Sequence, residues 1–463
     1  MAEDTAGSPP RRSPLALFVA VLLIPAVLGS SKTIFNDGDV SWHIATGRWI
    51  LAHHAIPHTD PFSFTWAGKP WVPIEWLSEV IYASAFSLAR YAGVAAVVTA
   101  ALIALHAAVY LNASRWVRLA LLPIVAMDFV VIPMLLARPH VLTWPLLAFW
   151  TWLMLRAREQ DRAPPLIAAL LMSLWANLHG GFVFGLAIAA AFGLEALVDS
   201  ADKRRATRQW LIFGFCCLAA VFINGNGVEG VVHPLRFTQL QMLPLIDEWK
   251  PSSLSRTPYF FAVLGVALAL IVWKRPRLPW MRWLLLGAML SLALFQVRHQ
   301  TTLAILAAMI LPQGFGAERR SADRPSGRIA AIAAVLLVAL RATMPLQPAD
   351  NQANPWRLIA AVPPQLRSQP VLNGYSMGGP LILSGIRPYV DGRGDMYGDE
   401  LVVGYAKIVH GDAALFAEAV QRWKIRWVML PNDSKLIPVV QRTPGWRLVA
   451  RDNVGVIYER TSP

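Results

Sequence analysis

Two aspartates and a histidine stand close together near the start of this 463-residue chain. Asp37 and Asp39 flank a glycine and His43 follows, directly after an apolar run over 15–30. A carboxylate beside an apolar phase is expensive to desolvate, so such a pair usually has a partner or a chemical role. One interpretation is structural, because Asp next to Gly readily caps a turn or a helix start at Ser41. The other is catalytic, because an Asp general base takes the proton from an attacking hydroxyl.

The same two carboxylates could also hold a divalent cation. Asp37 and Asp39 offer the oxygen ligands that Mg²⁺ and Mn²⁺ prefer. A cation between a carboxylate and a phosphate offsets the charge that develops on a leaving phosphate. Proton removal by a carboxylate requires no cofactor, so the cation is an option and not a requirement.

Apolar segments dominate the chain up to about residue 345. The composition is 56% hydrophobic and 15% charged, with a mean hydropathy of +0.45. Apolar runs of roughly 15 to 22 residues have the length of membrane-crossing helices. The sequence therefore predicts a polytopic α-helical membrane protein with about eleven transmembrane helices. The predicted segments are 14–30, 92–111, 117–136, 141–155, 165–178, 181–198, 210–223, 258–273, 280–296, 300–315 and 329–345.

Basic residues are distributed unevenly over the connections between these segments. One alternating set of connections carries 19 Lys and Arg residues, and the other set carries only 9. Basic residues remain on the cytoplasmic side during insertion, so we predict a cytoplasmic amino terminus. An odd number of spans then places the tail on the outer, periplasmic side. The net charge of +14 is explained by this topology and by anionic lipids, and it requires no nucleic-acid partner.

Three regions are predicted along the chain. Residues 1–345 form the transmembrane bundle, with long outer loops at 31–91 and 224–257. Residues 346–369 are rich in Pro, Gln and Asn, which is typical of a linker. Residues 370–463 change to an alternating soluble pattern and predict a small α/β domain on the outer side.

Individual elements of the outer parts can also be predicted. Aromatic and apolar residues at helical spacing over 42–50 and 71–88 predict helices lying on the membrane surface. In the tail, we predict strands at 371–373, 388–391, 426–430, 446–451 and 455–458, with a hairpin at 452–453 and a helix over 412–423. The Asp-Gly-Arg-Gly-Asp stretch at 391–395 is interpreted mainly as a turn. Asp128, inside a predicted span, is left without an assigned role.

Further polar residues lie at the predicted outer ends of the spans. Arg138 and Arg298 each stand where an apolar segment meets the outer surface. A guanidinium there can simply reach toward lipid phosphates, but its planar fork also fits a leaving phosphate. His140 and His299 could add donors to the same phosphate. The candidates for contacting the substrate are His43, Glu75, His179 and Glu248.

Several stretches resemble one family of bacterial multi-span proteins identified as glycosyltransferases of the GT-C class. The wider class includes protein O-mannosyltransferases, the catalytic subunit of oligosaccharyltransferase and lipid A aminoarabinose transferase. The sequence departs from the family at Asn224–Gly227, where relatives tend to have Asn-Pro-aromatic-Gly. The stretches that carry the resemblance are DGDVSWHIATGRWI at 37–50, HAIPHTDPFSF at 54–64, WVPIEWL at 71–77, ARPH at 137–140, WANLHGGF at 175–182, DEW at 247–249 and YVDGRGDMY at 389–397.

The resemblance implies a reaction and a location. It implies an acidic residue opening the first outer loop, where Asp37 and Asp39 stand, a polyprenyl-phosphate-linked sugar donor and a periplasmic tail domain. We therefore expect an inverting sugar transfer to an acceptor glycan, lipid or protein at the periplasmic face of the bacterial inner membrane. Two alternatives remain open, namely a transporter or flippase of lipid-linked glycans and a non-catalytic membrane assembly protein.

The charge distribution gives a direct test of the topology. A reporter that is active only in the periplasm, fused after Pro463, should be active, because an odd number of spans carries the tail across the membrane. The same reporter fused in the basic segment near Arg204 should be silent. A reporter signal confined to the cytoplasm at Pro463 would contradict the predicted orientation.

Overall fold

A computed structural model describes residues 14–316 and 327–461. Five of the 19 basic residues counted above lie outside these ranges, as does Pro463. They are Arg11, Arg12, Arg319, Arg320 and Arg324. The helices of the first region are Pro14–Phe18 (α1), Ile24–Gly29 (α2), Asp39–His53 (α3), Trp76–Ala113 (α4), Leu121–Val131 (α5), Pro139–Glu159 (α6), Leu170–Leu178 (α7), Phe182–Asp199 (α8), Lys203–Val221 (α9), Gly227–Phe237 (α10), Pro258–Lys274 (α11), Trp280–Phe295 (α12), Gln300–Phe315 (α13) and Gly327–Thr343 (α14).

All eleven apolar segments predicted from the sequence fall on helices of the structure. In the part of the chain that the structure describes, two helices are both long and apolar enough to cross a membrane by composition, α4 and α8. Several of the others are apolar but shorter, including α11 and α12. The helical character of these segments is therefore confirmed, and the number of membrane crossings stays a prediction.

Helix α4 is the centre of the bundle and packs against α3, α6 and α14. A kink at Ala89 and Arg90 divides it, and Arg90 has a positive φ of 53°. The long apolar part after the kink corresponds to the predicted span 92–111. Inside the bundle, His106 of α4 lies 3.1 Å from the carboxylate of Asp128 on α5. Asp128 therefore has a structural partner between two helices.

The first outer loop is packed inside the protein rather than lying on a membrane surface. Helix α3 forms as predicted, but it lies between α4 and the short tail helix Gly378–Leu383. Ile44 is fully buried, and Gly47 lies so close to α4 that a Cβ there would be 2.0 Å from the Glu79 carbonyl oxygen. The expectation of a surface helix was wrong because the tail covers α3. The second predicted helix begins only at Trp76.

The tail forms a mixed sheet flanked by helices. Its helices and strands are Trp356–Ala360 (α15), Val371–Asn373 (β1), Gly378–Leu383 (α16), Gly394–Val409 (α17), Ala413–Arg422 (α18), Trp427–Pro431 (β2), Ile437–Arg442 (α19), Trp446–Arg451 (β3) and Gly455–Arg460 (β4). The strand order is β1-β2-β4-β3, with β1 parallel to β2 and the other two pairings antiparallel.

Local sequence signals explain most of these elements. Asp412 caps α18 by accepting the backbone N–H of Leu415 at 2.9 Å, as its position predicted. Asp452 closes the β3–β4 hairpin by accepting two backbone N–H groups. The strand predicted over 388–391 was wrong, because Pro388 makes only one isolated bridge, to Val371.

The segment predicted as a linker contributes to the core of the sheet. Leu358, Ile359 and Val362 pack with β1 and β2 and are nearly fully buried. Burying apolar side chains of this size removes the freedom expected of a linker. The second half of 346–369 is thus part of the folded tail.

A buried arginine joins the tail to the first outer loop. The Arg393 guanidinium lies 2.8 Å from the Asp60 carboxylate of the loop and makes two contacts of 2.7 Å with Asp391. All three side chains are fully buried, and the Tyr397 hydroxyl donates to Asp391. The guanidinium also lies 4.7 Å from the Trp71 ring. The stretch at 391–395 is therefore an ion-pair anchor as well as a turn.

Removing this arginine should strongly destabilise the docked tail. In Arg393→Met, Asp60 and Asp391 would stay buried without a cation, which typically lowers the free energy of unfolding by about 3–5 kcal/mol. Denaturant unfolding in detergent, together with limited proteolysis of the tail, measures the effect. The matched control is Arg447→Met, whose exposed pair with Glu459 should contribute under about 1 kcal/mol. Equal losses in the two variants would contradict this interpretation of Arg393.

Candidate active site

The aspartate pair lies at the amino-terminal end of α3. Asp37 Oδ1 accepts the backbone N–H of Asp39 at 2.9 Å, so Asp37 caps the turn at the start of α3. Asp39 Oδ1 accepts the indole N–H of Trp42 at 3.0 Å. Each aspartate uses one oxygen in this local contact. The second oxygen of each is available to another partner.

That partner is Arg138, the residue that precedes the first turn of α6. Its Nη1 lies 3.3 Å from Asp37 Oδ2, and its Nη2 lies 3.2 Å from Asp39 Oδ2. Nη1 also lies 3.3 Å from Glu248 Oε2 in the second outer loop. One guanidinium thus holds three carboxylates from two separate loops, which uses the fork geometry specific to arginine.

The charges at this point shift the pKa of two carboxyls in opposite directions. Burial, followed by the neighbouring Asp37 charge, raises the pKa of Asp39 to about 7, although Arg138 opposes the shift. Burial also acts to raise the pKa of Glu248, but Arg138 and Arg298 outweigh it and lower that pKa to about 2. Asp39 can therefore gain or lose a proton near neutral pH, while Glu248 stays charged.

Beside the pair lies a cluster of buried groups that are uncharged at neutral pH. Glu75 lies 3.3 Å from His179 Nε2 and 3.8 Å from His43 Nε2. His43 Nδ1 is 3.3 Å from Glu79. Burial raises the pKa of Glu75 to about 8 and lowers the pKa of both histidines well below the usual value. His140 extends this group, with its ring centroid 6.3 Å from that of His179.

Arg298 and His299 lie in the short connection between α12 and α13. The Arg298 guanidinium stacks 4.2 Å from the centre of the Trp249 ring. Within residues 14–316 and 327–461, no carboxylate lies within 4 Å of its nitrogens. His299 packs against Phe184 and lies 2.9 Å from Gln296, and burial lowers its pKa to about 4. Arg298 is the cation of the site that keeps its donors free.

The structure also bears on the cation option. Among the described residues, no three His, Cys, Asp or Glu side chains are grouped so as to hold a metal ion. Asp37 and Asp39 instead share Arg138, whose positive charge lies between them. Mg²⁺ or Mn²⁺ binding at this pair stays a prediction, and no step is derived from it.

The residues predicted for the site lie near one another in the structure, but the way in which the tail completes the site was not predicted. Gly392 lies directly against Asp39, since a Cβ at that position would be 1.7 Å from Asp39 Oδ1. The two glycines around Arg393 were the available signal, because paired glycines indicate close backbone approach. Glu79, Asp60 and Arg393 were not among the predicted site residues.

Comparison with known proteins identifies the fold. No protein-family model and no curated protein matches the chain. Among solved structures, the chain is similar to one of the GT-C class. That structure is ArnT from Cupriavidus metallidurans bound to undecaprenyl phosphate, with a TM-score of 0.55 and 13% sequence identity over 96% of this chain and 97% of that one. The chain therefore has the GT-C-like fold of a polytopic membrane protein, which confirms the resemblance at the level of the fold.

The raised pKa values of Asp39 and Glu75 each predict a pH range over which the stability of the protein falls. Because the folded-state pKa of Asp39 lies above its ordinary 3.8, its proton stabilises the folded state at low pH, and this contribution is lost as pH rises to about 7. The melting temperature of the protein relative to Asp39→Asn should therefore fall over that range and then level off. For Glu75→Gln the corresponding fall should continue from 4.5 to about 8. Thermal unfolding of the three proteins between pH 4 and 9 measures both, and differences independent of pH would contradict the assignment.

Proposed function

We propose that the protein transfers a sugar from a polyprenyl-phosphate-linked donor to an acceptor glycan, lipid or protein at the outer face of the membrane. The observation that carries this proposal is the convergence of two aspartates with Arg138 and Arg298 at one site of a GT-C-like fold. The solved neighbour ArnT is bound to undecaprenyl phosphate. A lipid carrier of that chemistry suits a site at the outer ends of predicted spans.

The aspartate pair supplies the base in this proposal. Trp42 and Gly392 both lie against Asp39 Oδ1, so the role of the base is assigned to Asp37. A carboxylate oxygen of Asp37 takes the proton of the acceptor hydroxyl or amine, and the acceptor atom bonds to the anomeric carbon. The bond from that carbon to the phosphate oxygen breaks, and its electron pair leaves with the carrier phosphate. A single displacement of this kind inverts the anomeric centre.

The two arginines have different tasks because their surroundings differ. Arg138 already contacts three carboxylates, so its main task is to orient the base. Arg298 has no such partner and stabilises the charge that develops on the leaving phosphate. His140 and His299, predicted to contact the same phosphate, remain candidates for neutral donors.

The uncharged cluster fits recognition of the sugar. A protonated Glu75 can donate a hydrogen bond to a hydroxyl, and neutral His43 and His179 can each donate and accept one. The carrier phosphate gains a second negative charge as it leaves, and these uncharged groups do not repel it. Glu248 closes the site from the second loop. The cytoplasmic amino terminus, the periplasmic tail and a location in the bacterial inner membrane belong to the same proposal.

The exchange Asp37→Asn tests the reaction directly. It preserves shape and hydrogen bonding but removes the charge that accepts a proton, so turnover should fall roughly 100-fold or more. The donor is the lipid-linked sugar that accumulates in a deletion strain, identified by mass spectrometry and then supplied to the purified protein. The matched control is Asp247→Asn, because Asp247 is 87% exposed and pairs with Lys250 at the surface.

The outcomes separate the catalytic from the structural interpretation. Asn caps a turn as well as Asp does, so full activity in Asp37→Asn and in Asp39→Asn would leave both residues as caps and end the proposal. Activity lost only in Asp39→Asn would exchange the roles of the two carboxylates. Arg298→Lys keeps the charge but loses the two-pronged fit, so it should weaken use of the donor while leaving thermal stability unchanged.

A further inference from the structure

A second cavity lies apart from the aspartate pair, at the junction of α3, the α4 kink and the end of α14. Its volume is about 650 Å³, and it contains none of the residues of the candidate active site. Its charged and aromatic lining consists of Arg48, Phe86, Arg90, Tyr91 and Trp356. The lining also includes residues 342–343, at the end of α14, and 345–348, which follow it.

Two arginines of this cavity pack against the same aromatic ring. The guanidinium of Arg48 lies 4.8 Å from the centre of the Phe86 ring, and that of Arg90 lies 4.4 Å from it. Both arginines are exposed, and in the described ranges neither has a carboxylate within 4 Å. None of the lining residues is acidic. Two positive charges that line one cavity without a carboxylate partner favour an anion there.

The backbone points to the same place. Arg90 occupies a positive-φ conformation that is rarely adopted by residues with a side chain, and such conformations concentrate at ligand sites. The aromatic side chain of Trp356 completes the lining beside it.

The position of the cavity indicates the source of the anion. Arg90 directly precedes the predicted span 92–111, and the lining residues 345–348 lie at the end of the predicted span 329–345. Both ends are on the predicted outer side, where lipid headgroups lie. Leu346 and Leu383 provide an apolar surface beside the arginines, which suits the start of an acyl chain. An arginine that only reaches toward the lipid layer would need no cavity.

We propose that this cavity binds the phosphate headgroup of an anionic phospholipid of the outer leaflet. Arg48 and Arg90 pair with the phosphate oxygens, beside the aromatic ring of Trp356. The proposal is independent of sugar transfer, because the cavity shares no residue with the aspartate site. The bound lipid would connect α3, α4 and the segment that leads into the tail.

Titration with phosphatidylglycerol tests the proposal. The full-length protein is placed in neutral phosphatidylcholine nanodiscs, and bound lipid is counted by native mass spectrometry as phosphatidylglycerol is added. The double variant Arg48→Gln/Arg90→Gln should bind at least roughly tenfold more weakly, because it loses two charge-assisted contacts. The matched control is Arg256→Gln, since Arg256 is also exposed at the outer end of a predicted span but does not line this cavity.

Further variants distinguish a specific site from general attraction. Arg48→Lys/Arg90→Lys should retain most binding, and so should Trp356→Phe, which keeps an aromatic ring in the lining. The melting temperature in pure phosphatidylcholine checks that each variant is folded. Equal phosphatidylglycerol binding by the double variant and Arg256→Gln would overturn the proposal. So would full stabilisation by inorganic phosphate alone, which would indicate a site for a free anion rather than a lipid.

Discussion

The arrangement of the site depends on the position of one guanidinium. Arg138 holds Asp37, Asp39 and Glu248 together, although the first two open one outer loop and the third belongs to another. Without that positive charge, three carboxylates would repel one another at a poorly hydrated position. The backbone is extended at Arg138 because Pro139 follows it and disfavours a helical conformation at the preceding residue. The bundle and both outer loops therefore meet at a single charge.

Arg393 also holds carboxylates from separate segments together, at the contact between the first outer loop and the tail. It joins Asp60 of the first loop to Asp391 of the tail, and its neighbour Gly392 lies against Asp39. The tail thus covers the aspartate pair and contacts it directly. Enclosure by the tail contributes to the burial that raises the pKa of Asp39 to about 7. The chemistry proposed for the site accordingly depends on how the tail docks.

The positions of the helices could be predicted from the sequence more accurately than the way in which they pack against one another. Apolar length alone located the eleven helical segments, and single residues such as Asp412 and Asp452 indicated local caps and turns. The polar residues at outer span ends were brought together as expected, because alternate ends of antiparallel helices share one side. The docking of α3 under the tail could not be predicted, since Trp42 and Ile44 are equally suited to a membrane surface and to a protein core. The pairing of Asp60 with Arg393 spans more than 300 positions and leaves no local signal.

The interdependence of loop and tail has a consequence for how such proteins can diversify. Asp60 and Asp391 share the same arginine, and the carboxylate of Asp39 has space only because position 392 lacks a side chain. If the tail were replaced by that of a relative without the matching first outer loop, buried charges such as that of Asp60 would lose their partner. Recombination between relatives should therefore succeed when residues near 60 and 391–393 travel together, so the two segments form one heritable unit despite their distance along the chain.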